Sequence, residues 1–509
     1  MSDATAIEHG SASRRIDDVA ARAARGAPWV AASALVSRGL LAGVVLVLAA
    51  VLSPYEFGVL SIALLLSTVF IVLVDVGFAT ALVFEQDEVE EAAASAMGVS
   101  IVVGVSVGIG LLVTADAVSE IFRVPDAAPL IRAYAGIIAL SGVVAIPLMR
   151  LNREFAFRRR FAVETLPLIA GSILTIVLAI EGVGVWSLVI GDATRCLLTL
   201  MLVLGDRALR IRPRWHPSTV ARLWPYARGA TVASILDIVL LNVDYALVAR
   251  LLGATALGFY SLGFRIAIIP FYVVTMVVVG AGWPAMTRLR ADDAHLTSAF
   301  RISVRVASGG VMLFVGGTIV LAPWLVLLSP DWESAVSVTR LLAVFVVFRS
   351  ACYLLQAYFQ SVGRTGLNAV LRAIWLVLLV CLIATVGRLG VDAVAGIQVV
   401  VAAMLLAAHV IVSRTIGGAP AGPFLADVFR PVSASVVAAS LVLLVQAALP
   451  DDWSAATSWA ALLGAGTLFV VLYVASLRVV APAVLDDLGR LRRRLASRNG
   501  DRMREPTRA

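Results

Sequence analysis

Long apolar runs separated by short polar or charged breaks fill the chain. A helix needs about 20 apolar residues to cross about 30 Å of hydrocarbon, and runs of that length predict membrane-spanning helices rather than strands. Fourteen are read: 28–52, 57–83, 93–113, 128–149, 161–180, 183–204, 228–250, 257–284, 302–328, 334–360, 365–386, 391–413, 428–449 and 456–480. The shortest breaks fall at Glu181-Gly182 and Gly363-Arg364. No polar insertion is long enough for a separate soluble catalytic domain. The first run exceeds a signal-peptide core and a second follows at once, so it reads as a retained helix.

Composition agrees with the pattern. Of 509 residues 61% are hydrophobic and 15% charged, and the mean hydropathy is +0.96. A soluble chain is typically about half apolar and a quarter charged. The fold class expected is therefore an all-α polytopic membrane protein. All 41 basic residues are arginine. Without lysine there is no P-loop lysine and no lysine base or Schiff base, which argues against ATP-driven transport by this chain alone. Cys196, Cys352 and Cys381 lie in apolar stretches, so no disulfide framework, zinc site or other cofactor is indicated.

The formal charge of +8 could suggest nucleic acid, but in a membrane protein arginine placement reports topology first. With fourteen spans both termini share a side, and the segments on that side carry 29 of the 41 arginines. The opposite loops hold Arg123, Arg250 and Arg388. Both termini are thus expected in the cytoplasm of a multi-pass cell-membrane protein, with no nucleic-acid partner. One loop on the arginine-rich side departs from the pattern: Glu85, Asp87, Glu88, Glu90 and Glu91 occur there without an arginine. Acidic residues contribute little to orientation, so the assignment stands. The tail sequence Arg490-Leu-Arg-Arg-Arg494 reads as a stop-transfer cluster or as a contact for anionic headgroups.

The chain also repeats itself. Leu52-Ser-Pro-Tyr-Glu-Phe-Gly58-Val-Leu-Ser61 and Leu252-Gly-Ala-Thr-Ala-Leu-Gly258-Phe-Tyr-Ser261 share leucine, glycine and serine, and each lies at the outer turn between the first two helices of a half. The organisation expected is a cytoplasmic segment 1–27, an N-lobe of six helices at 28–204 and an arginine-rich linker at 205–227. A C-lobe of six helices at 228–415, two further helices at 416–480 and a basic cytoplasmic tail at 481–509 complete it. Halves that start on the same side form a parallel, pseudo-twofold repeat, which in transporters encloses a central site.

Ionisable residues inside spans are the first place to look for function. Arg38 lies mid-helix 1 and Asp75 in the inner half of helix 2. Asp237 and Asp244 share a face of helix 7, and Asp244 is at similar depth to Arg265 on helix 8, so that pair reads equally as a structural salt bridge. Arg349 is central in helix 10, with Tyr353, Gln356 and Gln360 following at helical spacing. That stripe suits sugar hydroxyls and phosphate, or interhelical hydrogen bonds. Arg372 with Asn368 forms a polar face on helix 11, and Asp192 with Arg195 suggests a local ion pair. His409 is a lone histidine near a helix end, structural or a proton relay.

The stretch Val243-Asp-Tyr-Ala-Leu-Val-Ala-Arg-Leu-Leu-Gly-Ala-Thr-Ala-Leu-Gly-Phe-Tyr-Ser261 is the clearest of several, with Leu52 to Gly58, Gly282 to Arg290, Asp331-Trp-Glu and Gln360 to Thr365. Together they resemble the oligosaccharide flippase family, the Wzx-type polysaccharide exporters of the multidrug/oligosaccharidyl-lipid/polysaccharide superfamily. The resemblance implies two six-helix lobes with two further helices, opening alternately to each side. It implies a flippase for an undecaprenyl-pyrophosphate-linked oligosaccharide, a transporter and not an enzyme, acting in surface polysaccharide biosynthesis. Membrane lipids, a polysaccharide polymerase and glycosyltransferases are the implied partners. Arg38 and Arg265 fall where such flippases place lumen arginines and would contact the headgroup, with Arg349, Arg372 and Gln356 as further substrate contacts. Asp75, Asp237 and Asp244 would serve as counter-ions or in coupling. A drug/cation antiporter of the same superfamily would be expected to have twelve helices and fewer cavity arginines. A membrane glycan polymerase or ligase would need a larger external loop.

Overall fold

The computed structural model describes residues 36–493 except 76, 86, 87, 155, 419, 449–454, 491 and 492. The expected segment 1–27, the start of the first span and most of the basic tail lie outside the described residues. Among the described residues every regular element is helical and there is no strand. Among the described residues thirteen helices are long and apolar enough to cross a membrane, and a shorter apolar helix, α1 (Val36–Val51), precedes them. The protein is a multi-pass, all-α membrane protein. It divides into two units, Met1–Gly258 and Phe259–Ala509.

In the first unit the second apolar run forms two helices, α2 (Pro54–Asp75) and α3 (Phe78–Phe84). The break lies at Gly77, whose φ is +65°, a left-handed conformation that favours glycine. A Cβ there would stand 2.3 Å from the carbonyl oxygen of Ala227. The start of α2 is a capping box that the sequence Ser-Pro-Tyr-Glu already contains. The Ser53 N–H donates to Glu56 Oε2 at 2.9 Å, and the Glu56 N–H donates to Ser53 Oγ at 3.3 Å.

The next four helices are α4 (Val89–Ile121), α5 (Ala128–Arg153), α6 (Phe157–Ile180) and α7 (Trp186–Gly205). After α7 an extended segment leads to α8 (Pro217–Leu252), which begins eleven residues before the apolar run that predicted it. Those early turns are not free: Leu223 and Ala227 bury with Phe78, Leu82 and Met97. The same end explains the acidic loop. Glu90 takes both Nη atoms of Arg150, at 2.7 and 3.2 Å. Arg222 pairs with Glu85 at 3.3 Å and with Glu88 at 3.0 Å, and the Thr219 hydroxyl donates to Glu91. The arginines that pair with this loop come from α5 and α8.

The repeated turns meet within this unit. A Cβ on Gly58 would stand 1.8 Å from the Ala254 carbonyl oxygen, and one on Gly258 would stand 1.9 Å from that of Pro54. Each glycine admits the backbone of the other turn, so the shared glycine of the repeat is a reciprocal packing requirement.

The eighth apolar run is not a single helix. It consists of α9 (Ala254–Ala267), a π-helical turn Phe271–Thr275 that follows Pro270, and α10 (Met276–Arg288). In the second unit come α11 (Asp293–Leu321), α12 (Glu333–Ser361), α13 (Thr365–Val386), α14 (Val391–Val412), α15 (Ala421–Ala447), α16 (Ala455–Val480) and the short α17 (482–490). Asp292 caps α11, its Oδ1 accepting from the N–H groups of Ala294 and His295 at 3.1 Å. The bond from the His295 backbone, with a second from its ring, holds the Asp292 carboxyl below the usual carboxylate range.

The last helices are fastened to α11. Arg301 Nε and Nη2 bond both oxygens of Asp427, at 2.8 and 3.2 Å, and Arg305 bonds Asp487 at 2.7 Å. The Tyr473 hydroxyl donates to the Gly309 carbonyl at 2.7 Å and the Ser435 hydroxyl to that of Met312 at 3.0 Å.

Candidate functional site

Polar side chains inside the second unit gather along α12. A π turn inserts one extra residue per turn and rotates the helix beyond it. Here the turn after Pro270 brings Phe271 and Thr275 against α12. The buried Thr275 hydroxyl donates to Ser350 Oγ at 3.0 Å, which fixes the register of the two elements.

Arg349 is held between rings. Its guanidinium carbon lies 4.9 Å from the Phe271 centroid, 4.7 Å from that of Trp375 on α13 and 6.0 Å from that of Phe345. Phe271 also meets Tyr353 edge-on, with centroids 5.2 Å apart. Aromatic faces attract a cation by about 0.5–2 kcal/mol each, more where water is excluded. Stacking occupies the faces of the guanidinium plane and leaves the bonding capacity in its edge, where a planar fork meets phosphate or carboxylate oxygens. The Trp375 Nε1–H is buried and has no hydrogen-bond partner among the described residues.

Two turns along α12, the Gln356 amide nitrogen faces Nε2 of His409 on α14 at 3.4 Å. The His409 Nδ1 faces the Leu405 carbonyl oxygen at 2.8 Å. Asn368 on α13 donates from Nδ2 to the Gln356 main-chain oxygen at 3.0 Å. The stripe of Arg349, Tyr353 and Gln356 expected from helical spacing is thus present on one helix, with its residues engaged to Phe271, Trp375 and His409. Arg372 is half-buried on α13, one turn from Asn368. Arg265 is half-buried on α9, and its Nε is buried without a hydrogen bond among the described residues.

The first unit holds the other candidates. Arg38 is exposed on α1. Asp244 is 2% exposed on α8, and its Oδ1 accepts from the Tyr245 N–H at 2.9 Å. Asp192 and Arg195 pair at 3.5 Å, and the Tyr134 hydroxyl donates to Asp192 at 3.0 Å. Asp75 ends α2 and Asp237 lies within α8, but their side chains lie outside the described residues. No group of three metal-ligating side chains occurs among the described residues.

Sequence reasoning missed Phe271, Thr275 and Trp375. An aromatic or threonine in an apolar run carries no signal of its own. Pro270, inside an expected span, is the one mark of the interruption that places Phe271 beside Arg349. It also missed Asp427 and Asp487, although a buried aspartate in or beside an apolar run is itself a signal for a partner.

Comparison with known proteins agrees with this fold. The structure is similar to that of a lipid II flippase, MurJ, in an inward closed conformation, with a TM-score of 0.71 and 10% sequence identity over 90% of this chain and 99% of that one. It is also similar to an inward-facing multidrug resistance transporter of the MATE family, with a TM-score of 0.59 and 15% identity over 75% of this chain and 99% of that one. In sequence it is 28% identical to the succinoglycan biosynthesis transport protein ExoT of Rhizobium meliloti (strain 1021), over 82% of this chain and 85% of the relative. It is 24% identical to the lipopolysaccharide biosynthesis protein WzxC of Escherichia coli (strain K12), over 64% of this chain and 67% of the relative. The profile of a family described as polysaccharide biosynthesis proteins matches residues 47–337, more than half of the chain. The chain therefore belongs to the polysaccharide biosynthesis protein family.

Proposed function

We propose that this protein is a flippase that moves an undecaprenyl-pyrophosphate-linked oligosaccharide across the cytoplasmic membrane by alternating access, supplying surface polysaccharide biosynthesis. It acts as a transporter and performs no covalent chemistry. The observation that carries this reading is Arg349, a cation kept inside an apolar span and bracketed by Phe271 and Trp375. A desolvated pyrophosphate is prohibitively costly in hydrocarbon, and a guanidinium within the span lowers that cost. Similarity to a succinoglycan transport protein and to a lipopolysaccharide biosynthesis protein supports the same cargo class.

In this reading Arg38, Arg265, Arg349, Arg372 and Gln356 contact the headgroup and sugars, while Asp75, Asp237 and Asp244 serve as counter-ions or in coupling. A potential of 100 mV is worth about 2.3 kcal/mol per charge moved, enough to bias an anionic cargo. Both termini lie in the cytoplasm, and a polymerase and glycosyltransferases work beside it. The test is export in cells that lack their own flippase. Arg265→Ala and Arg349→Ala, singly and together, are expected to reduce surface polysaccharide at least about tenfold, the effect of losing one charge-assisted hydrogen bond, while the protein still inserts. Normal export by the double variant overturns the headgroup assignment.

A further inference from the structure

His409 lies on α14 fully buried, in the seam with α12. The Leu405 carbonyl oxygen at 2.8 Å from Nδ1 can only accept, so Nδ1 carries a proton. The Gln356 amide nitrogen at 3.4 Å from Nε2 can only donate, so Nε2 presents a lone pair. With the Gln356 amide in this orientation, the tautomer that satisfies both contacts is the neutral one, with Nδ1 protonated and the Nε2 lone pair turned toward Gln356. Phe359 stacks on the ring with centroids 6.2 Å apart and planes 7° from parallel, which leaves the ring nitrogens as its polar contacts.

Its surroundings are sparse in charge. The charged and titratable groups on elements packed against α14 are Glu333, Arg340, Arg349, Cys352, Tyr353 and Tyr358 of α12 and Arg372 and Cys381 of α13. To these the turns flanking α14 add Arg388 and Arg414, and α14 itself carries Asp392. None of them bonds to the imidazole, and no carboxylate does so among the described residues. The network does contain an unfilled acceptor: Asn368, 4% exposed, holds the Gln356 main chain through Nδ2 while its Oδ1 is buried without a partner. Gln360, one turn beyond Gln356 and half-buried, continues the polar stripe toward the end of α12.

We propose that His409 is a proton-binding site and that Gln356 is the group that responds to its occupancy. A proton added to the Nε2 lone pair gives an imidazolium with two N–H donors and net charge +1. The Nδ1–H keeps the Leu405 carbonyl. The new Nε2–H faces an amide NH₂, donor against donor, so the Gln356 amide turns over and offers Oε1 as acceptor. Loss of the proton reverses the turn. The bond between α12 and α14 thus exists in two forms of opposite polarity, selected by one proton. This assignment does not depend on what the protein transports.

The experiment uses the full-length protein in lipid nanodiscs, with ¹⁵N in histidine rings and glutamine amides. The chain has only four histidines, and His409→Asn assigns the signal. Near pH 8 the His409 ring is expected in the Nδ1–H form. Between about pH 8.5 and 4.5, the range that brackets an ordinary histidine, it is expected to protonate at Nε2 while the Gln356 amide resonance shifts with the same midpoint. Gln356→Glu places a carboxylate against the ring and should raise the midpoint by about one unit or more. Gln356→Leu should change the midpoint by removing the responding amide. An Nε2–H form near pH 8 overturns the proposal. So does a ring that stays neutral throughout, or a midpoint that neither substitution moves. If the substituted proteins fail to insert, the wild-type ring and amide titrations decide the matter alone.

Discussion

Asp427 and Asp487 are each 3% exposed and each holds an arginine of α11. A buried carboxylate is tolerated only with a partner that repays its lost hydration. Removing the negative charge leaves Arg301 or Arg305 as an uncompensated cation in a packed helical seam. Asp427→Asn and Asp487→Asn are each expected to cost about 1.5–3 kcal/mol, the range for hydrogen bonds to charged groups. Asp487→Asn should cost more, because Arg305 is 17% exposed and Arg301 36%. Thermal unfolding in detergent checks this, and unchanged midpoints for both would show that α15 and α17 are held without these pairs. Arg349 illustrates the same scale differently. Its place in an apolar run marked it as a candidate, but what it touches depended on Phe271 and Trp375, which are distant in sequence and ordinary in type.

At the scale of elements, the apolar runs located the helices well and their interruptions less well. The run read as 57–83 divides at Gly77, and the run read as 257–284 divides at the π turn after Pro270. Glycine and proline are the local marks, yet both are also common within transmembrane helices. Gly77 is fixed by conformation and by space together. Gly77→Ala forces an L-residue to φ +65° and directs its Cβ at the Ala227 carbonyl. A loss of at least about 2 kcal/mol is expected, seen as a lowered unfolding midpoint or poor accumulation in the membrane; a midpoint equal to wild type would contradict this geometry. The turns Leu52 to Gly58 and Leu252 to Gly258 were recognisable as a repeat from their residues. That the two glycines face each other's backbones was not, because sequence identity carries no information about which copies pack together.

For the whole molecule, the arginine distribution predicts the side of every loop. Single cysteines in a background without native cysteine test it: Arg388→Cys should react with an impermeant maleimide in intact cells, and Arg207→Cys only after lysis. The reverse pattern would invert the proposed topology. Glu85, Glu88 and Glu90, which broke the charge pattern, are neutralised by Arg150 and Arg222 from α5 and α8. Topology and packing therefore use the same arginines.

Sequence alone determined that this chain is a helical, multi-pass membrane protein. Span length, hydropathy and arginine placement are one-dimensional properties imposed by the bilayer, and the bilayer acts on every helix in the same way. Tertiary structure decided which polar groups face one another: Arg349 with Phe271 and Trp375, Gln356 with His409, and Asp427 and Asp487 with α11. Those pairings arise from short-range contacts between helices far apart in the chain. Periodicity places a residue on a face of its own helix and says nothing about the helix opposite.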